Sequence, residues 1–403
     1  MSRRTQSANV RESPVQLTIL AGLWTTAIWI GLDMYLPAMP HMDDAFDTSE
    51  TLVNLTLLMF SIGLPIGALV GGALSDKMGR WRPTIAGGAV FAGSCILCAL
   101  SPSIFFVIAL RLLTGLGGGV VCATIMAVLK DCLEGTQLER SVTVTQSLAI
   151  VGPLVAPLLG SLLLELFSWQ AIFIALALLG FACLLWYLRV GETLPPEKRA
   201  DTSLIGSLGL VAQVARNKHF TVLLIALCMP IFSFGAFAAT CSYVYIDTFG
   251  LANAQFSLLY TITCAMAIGG PFIYAASRKK LGDKKVILMV CGMLAVSGLW
   301  TLALGPLGPI VFMVGTLPFN AAEGMARPCA YLVLLQAEDE HVGSASALIH
   351  FGLGVLAALG TAIGSLPWPD HIVATGVPIL FGSIVGFSLI AVLLYAMKSR
   401  ILD

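Results

Sequence analysis

The sequence predicts an all-α membrane protein of twelve transmembrane helices, arranged as two six-helix bundles. Three observations predict it. Of 403 residues, 58% are hydrophobic and only 11% are charged, against about 25% charged in a soluble domain. The apolar residues fall in twelve runs, most of them near the roughly 20 residues a helix needs to cross hydrocarbon. One polar stretch divides those runs six and six.

The first six runs lie near 16–39, 52–75, 83–101, 104–128, 142–166 and 169–189. The second six lie near 219–240, 255–277, 285–304, 309–335, 343–366 and 373–396. Between them stands "RVGETLPPEKRADTSLIGSLGLVAQVARNK". The expected organisation is a tail (1–15), a first bundle (16–189), a linker (190–218), a second bundle (219–396) and a short tail (397–403). The first 36 residues read as a retained span. Their apolar stretch is too long for a cleavable signal, it carries Asp33, and no small-x-small site follows.

Orientation follows from the bases. Every Lys and Arg except Arg111 and Arg327 falls on one face: the tails, the linker and the even-to-odd loops such as Lys77–Arg82 and Arg278–Lys285. The positive-inside rule then makes both termini cytoplasmic.

Several function classes drop out. A formal net charge of zero does not fit a nucleic-acid partner. No GxxxxGK[ST] loop is present, so ATP is not the expected energy source, and no HExxH or GxSxG marks an enzyme. The ten cysteines lie mostly in apolar runs. Cys95 and Cys98 form a CxxC in mid-helix without a second ligand pair, which reads as packing. Neither a metal nor a cofactor is expected.

Two bundles of six are what transporters built from repeats look like. "GGALSDKMGRWRPTI" (71–85) and "YAASRKKLGDKKVIL" (274–288) sit at equivalent turns, and each keeps a glycine, Gly79 or Gly282, three residues before a base, Arg82 or Lys285. The second copy has Lys279 where the first has Asp76.

Four charged residues lie inside spans: Asp33, Arg111, Glu323 and Arg327. Facing lipid, each would cost roughly 2.5–3.5 kcal/mol, about 10–14 kcal/mol together. They are expected to face a cavity or to pair. Asp33 and Arg111 lie at similar depth. A guanidinium favours the charged carboxylate and desolvation the neutral one, so opening and closing would move a proton on Asp33. Arg111 cannot release one; it would tune Asp33 or hold an anionic part of a substrate. A static ion pair is the alternative. Glu323 and Arg327, at i and i+4, share a helix face. They either neutralise each other or line the second bundle's side of the cavity, with Glu323 as a second acid. Four inward charges summing to zero favour neutral or zwitterionic substrates. His350 titrates near neutrality in principle, and Tyr35, Phe232, Phe237 and Tyr260 are candidates for an apolar wall.

Three motifs carry a resemblance. Gly72, Asp76, Gly79, Arg80 and Arg82 form GxxxDxxGRxR between the second and third spans. "RLLTGLGGG" holds Arg111 and Gly115, and "GPLVAPLLG" holds Gly152, Pro153, Pro157 and Gly160, with Ser161 where a closing glycine is usual. With "LDMYLPAMP" in the first span, the chain resembles the major facilitator superfamily. The likeness is to its twelve-helix drug:proton antiporters, in the bicyclomycin and chloramphenicol/florfenicol resistance branch.

The resemblance implies that superfamily's fold around a central cavity, and multidrug efflux from a bacterial cytoplasm across the inner membrane. It implies Asp33, Arg111 and Glu323 as proton-coupling residues, with Asp33, Tyr35, Arg111, Phe232, Phe237, Tyr260, Glu323, Arg327 and His350 at the substrate. The loop and proline–glycine motifs would serve gating. Expected partners are a small-molecule substrate, protons and lipid, with the proton gradient as energy source and a single chain as the working unit. Export of one endogenous metabolite, such as a siderophore or amino-acid derivative, is the alternative. A membrane sensor or channel is more remote, because the repeat and the antiporter-like helix argue for alternating access.

Overall fold

The computed structural model describes residues 12–199, 209, 212–336 and 342–396. Among these there is no strand. The helices are α1 (Pro14–Asp33), α2 (Met39–Phe46), α3 (Glu50–Met78), α4 (Trp81–Ala99), α5 (Ile104–Cys132), α6 (Gly135–Leu166) and α7 (Trp169–Tyr187). They continue with α8 (Lys218–Tyr243), α9 (Asn253–Leu304), α10 (Pro309–Gln336), α11 (Val342–Gly364) and α12 (His371–Ala391). Eight helical stretches are long and apolar enough to cross a bilayer. One of them, Asn253–Leu307, holds two of the expected spans. It folds at Gly282, whose φ of 76° is open to glycine at no steric cost.

Local chemistry sets the ends of α1. Ser13 Oγ accepts from the Gln16 amide at 3.3 Å and Gln16 Oε1 accepts from the Ser13 amide at 2.8 Å, a capping box closed by Pro14 in the first turn. The first span was expected to run to 39, but α1 stops at Asp33. A 3₁₀ turn, Leu36–Ala38, then redirects the chain into α2. Pro37 explains this: it has no amide to give the Asp33 carbonyl four residues back, and its ring crowds that carbonyl, whereas Pro40 sits in the first turn of α2, where a missing donor costs nothing. At α6 the helix begins earlier than the apolar run does, because an apolar run marks hydrocarbon and not the limit of hydrogen bonding.

The chain forms two compact units, Met1–Tyr35 with Met59–Ser207, and Leu36–Leu58 with Leu208–Asp403. In the first, α1 packs on α6, and α4 packs on α5 and α7. Trp24 and Phe91, both fully buried, meet edge to face at 6.2 Å. Here α3 and α5 touch backbone to backbone. A Cβ added at Gly67 would lie 2.1 Å from the Leu116 carbonyl oxygen, and one at Gly119 would lie 2.0 Å from that of Leu64. Small residues permit such approach where lipid offers no hydrophobic drive to associate.

In the second unit α9 packs on α10 and α12, and α8 on α11 and α12. The segment Leu36–Leu58, which follows the first span in the chain, belongs to this unit.

Candidate functional site

Asp33 is the last residue of α1 and is 1% exposed. Residues of the first unit gather on the turn beside it. Arg111 on α5, fully buried, donates from its Nη1 to the Gly31 carbonyl at 3.0 Å. Its guanidinium lies 4.4 Å from the ring centres of Tyr35 and Phe60 and 5.9 Å from that of Phe173. Arg111 is therefore held by residues on both sides of Asp33 in the chain, and stacking on aromatic faces is what a planar guanidinium does well.

The proline–glycine motif closes on the same place. Gly160 of α6 abuts Met34, so that an added Cβ would lie 1.8 Å from the Met34 carbonyl oxygen. Gly152 packs beside Ile30 and Thr26, and Pro153 and Pro157 lie within α6. Ser161, the departure from the usual glycine, is 4% exposed and turns its hydroxyl back to the Leu158 carbonyl at 3.1 Å.

The loop motif makes a charge network at one end of this unit. Arg80 bonds Asp131 at 2.8 Å, Ser75 Oγ at 2.8 Å, and Asp76. Burial works against the Arg80 charge, but Asp131 and Asp76 outweigh it and raise the guanidinium pKa above its ordinary value. Gly79 has a φ of 93°. Beside it Glu192, from the linker, accepts from the amides of Arg80 at 2.7 Å, Thr193 at 3.1 Å and Leu194 at 3.0 Å. A carboxylate is thereby seated at the start of α4, where the helix dipole favours it. Gly72 is half-buried within α3, and Arg82 is exposed.

The sequence reading gave no role to Asp131, Glu192, Phe60 or Phe173. Glu192 is one of three acids in the linker, with Glu197 and Asp201, and nothing in the spacing singled it out or marked the two rings.

In the second unit Glu323 and Arg327 of α10 pair at 2.6 Å, the glutamate buried and the arginine side chain 42% exposed. Tyr260 stacks on Phe237 at 5.8 Å, Phe319 meets Phe237 edge-on at 5.3 Å, and Phe232 meets Phe381 at 5.8 Å. Phe237, Tyr260 and Phe319 are fully buried together, Phe232 packs separately on the exposed Phe381, and His350 on α11 is exposed. The second copy of the loop repeat keeps the left-handed glycine, Gly282, but draws its acid from after the turn. Asp283 bonds Arg278 at 2.7 and 3.1 Å and accepts from Tyr274 at 3.2 Å.

A model of the Major Facilitator Superfamily matches residues 22–361. The chain belongs to the major facilitator superfamily. Among its relatives, "Uncharacterized MFS-type transporter YdgK" of Bacillus subtilis is 31% identical over 362 residues, 88% of this chain and 87% of that one. The "Bicyclomycin resistance protein homolog" of Haemophilus influenzae is 27% identical over 406 residues, covering 97% and 98%. "Multidrug resistance protein MdtL" of Shigella flexneri is 25% identical over 240 residues, 59% of this chain and 60% of that one.

Solved structures show the same fold. A peptide transporter, POT, superposes with a TM-score of 0.77 at 14% identity, over 96% of this chain and 95% of that one. The nucleoside transporter NupG gives 0.74 at 13% identity, over 96% and 100%. This major facilitator protein is thus a multi-pass membrane transporter and not an enzyme, with drug-resistance relatives.

Proposed function

We propose that the protein exports small amphipathic drugs, neutral or zwitterionic, in exchange for protons, with Asp33 as the coupling acid. The observation that carries this reading is the joint placement of Arg111 and Gly160 at the end of α1. A buried carboxylate at a helix end, flanked by a guanidinium anchor and pressed by a proline–glycine helix, has surroundings that a small shift of α6 would alter. Its proton affinity follows such changes in solvation and charge. Coupling then needs only that substrate and proton bias the same pair of conformations.

In this reading Arg111 tunes Asp33 and Tyr35 contributes to the substrate wall. The Glu323–Arg327 pair presents the second unit's charge. The Arg80 and Glu192 network lies on the cytoplasmic side with both termini, and the chain works as a monomer in a bacterial inner membrane. The proton gradient alone supplies the energy. The likeness to bicyclomycin- and multidrug-resistance proteins supports drug efflux over a dedicated metabolite carrier.

The test is proton release from detergent-purified protein on addition of a panel of amphipathic antibiotics, wild type beside Asp33→Asn. Release in wild type and none in the folded variant is expected. Release of equal size from the variant would move the coupling proton away from Asp33, and substrate binding without release in wild type would sink the antiport reading.

A further inference from the structure

A cavity of about 680 Å³ opens in the second unit. All its described walls come from that unit: α2 and the beginning of α3, the last turns of α8 with the π-helical turn Val244–Thr248 after it, and the chain leading from α11 into α12. None of the residues discussed above as coupling or substrate candidates lines it.

Its chemistry is one-sided. Asp43, Asp44, Glu50 and Asp247 line it, and among the described residues no Lys or Arg does. His371 is the one basic side chain on the wall, with its Nε2 3.6 Å from Glu50 Oε1. His41 lies just beyond and already meets the Asn253 amide at 3.2 Å. Two aromatic rings face the same space. Tyr243 donates its hydroxyl to Asp43 at 3.4 Å and stacks on His371 at 5.6 Å, while Trp368 is fixed by its indole bond to the Ile363 carbonyl at 2.7 Å.

A second feature is independent of the acids. Asn54, on the α3 wall, is only 4% exposed, and its Oδ1 accepts no hydrogen bond. A buried carbonyl oxygen without a donor is costly to keep. It marks a place where an N–H from outside the protein would be welcome. A metal ion does not suit the arrangement: among the described residues no three His, Cys, Asp or Glu side chains gather closely enough to ligate one. Spread carboxylates, ring faces and a spare amide acceptor match a larger cation that carries N–H donors.

We propose that this cavity is a binding site for an organic ammonium ion, held by the four carboxylates, with Asn54 Oδ1 taking one N–H and the rings of Tyr243 and Trp368 facing the charge. Charge–carboxylate contacts set the affinity, and the aromatic faces add the preference for an organic cation over a hydrated inorganic one. Because α2 and the start of α3 supply three of the acids and the π-helical turn Val244–Thr248 after α8 supplies the fourth, a bound cation joins Leu36–Leu58 to the rest of the second unit. The proposal goes beyond the transport reading, since nothing in it depends on Asp33.

The experiment titrates the full chain in detergent with 1,4-diaminobutane, and with neutral 1,4-butanediol for comparison, by calorimetry and tryptophan fluorescence. Wild type should bind the diamine saturably and the diol not at all. Binding should weaken at least tenfold in the Glu50→Gln/Asp247→Asn double variant, whose side chains are exposed and leave the fold intact. Asn54→Leu should weaken it several-fold. Asp33→Asn should bind as wild type does, even if it has lost proton release, which separates this site from the coupling acid. Equal binding of the diol, or diamine binding of the same strength in wild type and the double variant, would overturn the assignment. So would the absence of saturable binding to folded wild type.

Discussion

Replacing Gly160 with alanine tests the contact that joins the proline–glycine helix to the helix bearing Asp33. The added Cβ would lie 1.8 Å from the Met34 carbonyl oxygen and 2.9 Å from its carbonyl carbon. Close C···O contacts settle near 3.3–3.6 Å, so α6 and the end of α1 must part by roughly 1.5 Å. Both partners are backbone, and no rotamer can relieve the clash. A gap wider than about 1 Å forfeits around half or more of the dispersion energy of the contacts it opens. Overpacking a core costs about 1–3 kcal/mol, and a backbone-on-backbone collision belongs at the upper end. Alanine's helix propensity returns about 1 kcal/mol. The net loss of about 2 kcal/mol corresponds to about 4–8 °C in a cooperative unit of 150–250 residues. Gly93 on α4 supplies the control, because an added Cβ there meets nothing within 4 Å. Gly93→Ala should keep the propensity gain alone and melt about 2–4 °C higher. Thermal unfolding followed by tryptophan fluorescence reads both, and substrate-driven proton release reads the coupling, which Gly160→Ala should depress. A Gly160→Ala protein with the wild-type transition and full release would refute the reasoning.

Two further substitutions probe other contacts. Arg111→Lys keeps the charge but loses the plane that stacks on Tyr35 and Phe60 and aims Nη1 at Gly31. It should cost about 2–3 kcal/mol in thermal unfolding, and an unchanged transition would mean that any cation suffices there. Glu192→Gln removes the charge that three backbone amides and Arg199, 3.8 Å away, share. It should cost about 1–2 kcal/mol locally and speed limited trypsin cleavage after Arg199 several-fold. Wild-type cleavage rates would show that the linker is held by something else.

Much of the fold was legible because a bilayer leaves few choices. Twelve apolar runs, each bounded by polar residues, read as spans since every backbone amide in hydrocarbon must be bonded within its own helix. Gly79 and Gly282 were visible as a repeat, and both adopt positive φ at their turns. The expected first span lies inside the helical stretch Pro14–Phe46, but hydropathy does not see that Pro37 interrupts the α-helix within it. Of the candidate site, Asp33, Arg111 and the glycines and prolines of α6 were each marked by rarity or by motif. Asp33 and Arg111 were also placed at similar depth, but the approach of α6 to the end of α1 was not legible.

The sequence by itself determined the number and apolar character of the spans and which side chains are too costly to face lipid. These are one-dimensional properties, set by a fixed hydrocarbon thickness and a local charge penalty. The i, i+4 spacing already offered Glu323 to Arg327, but only the tertiary structure decided the partners that lie beyond that spacing. It pressed Gly160 against Met34, stacked Arg111 between Tyr35 and Phe60, seated Glu192 at the start of α4, gave Asp283 to Arg278, and assigned Leu36–Leu58 to the second unit. Such pairings depend on close packing between segments distant in the chain, where a shift of one ångström changes the neighbour and leaves the composition of every helix unchanged.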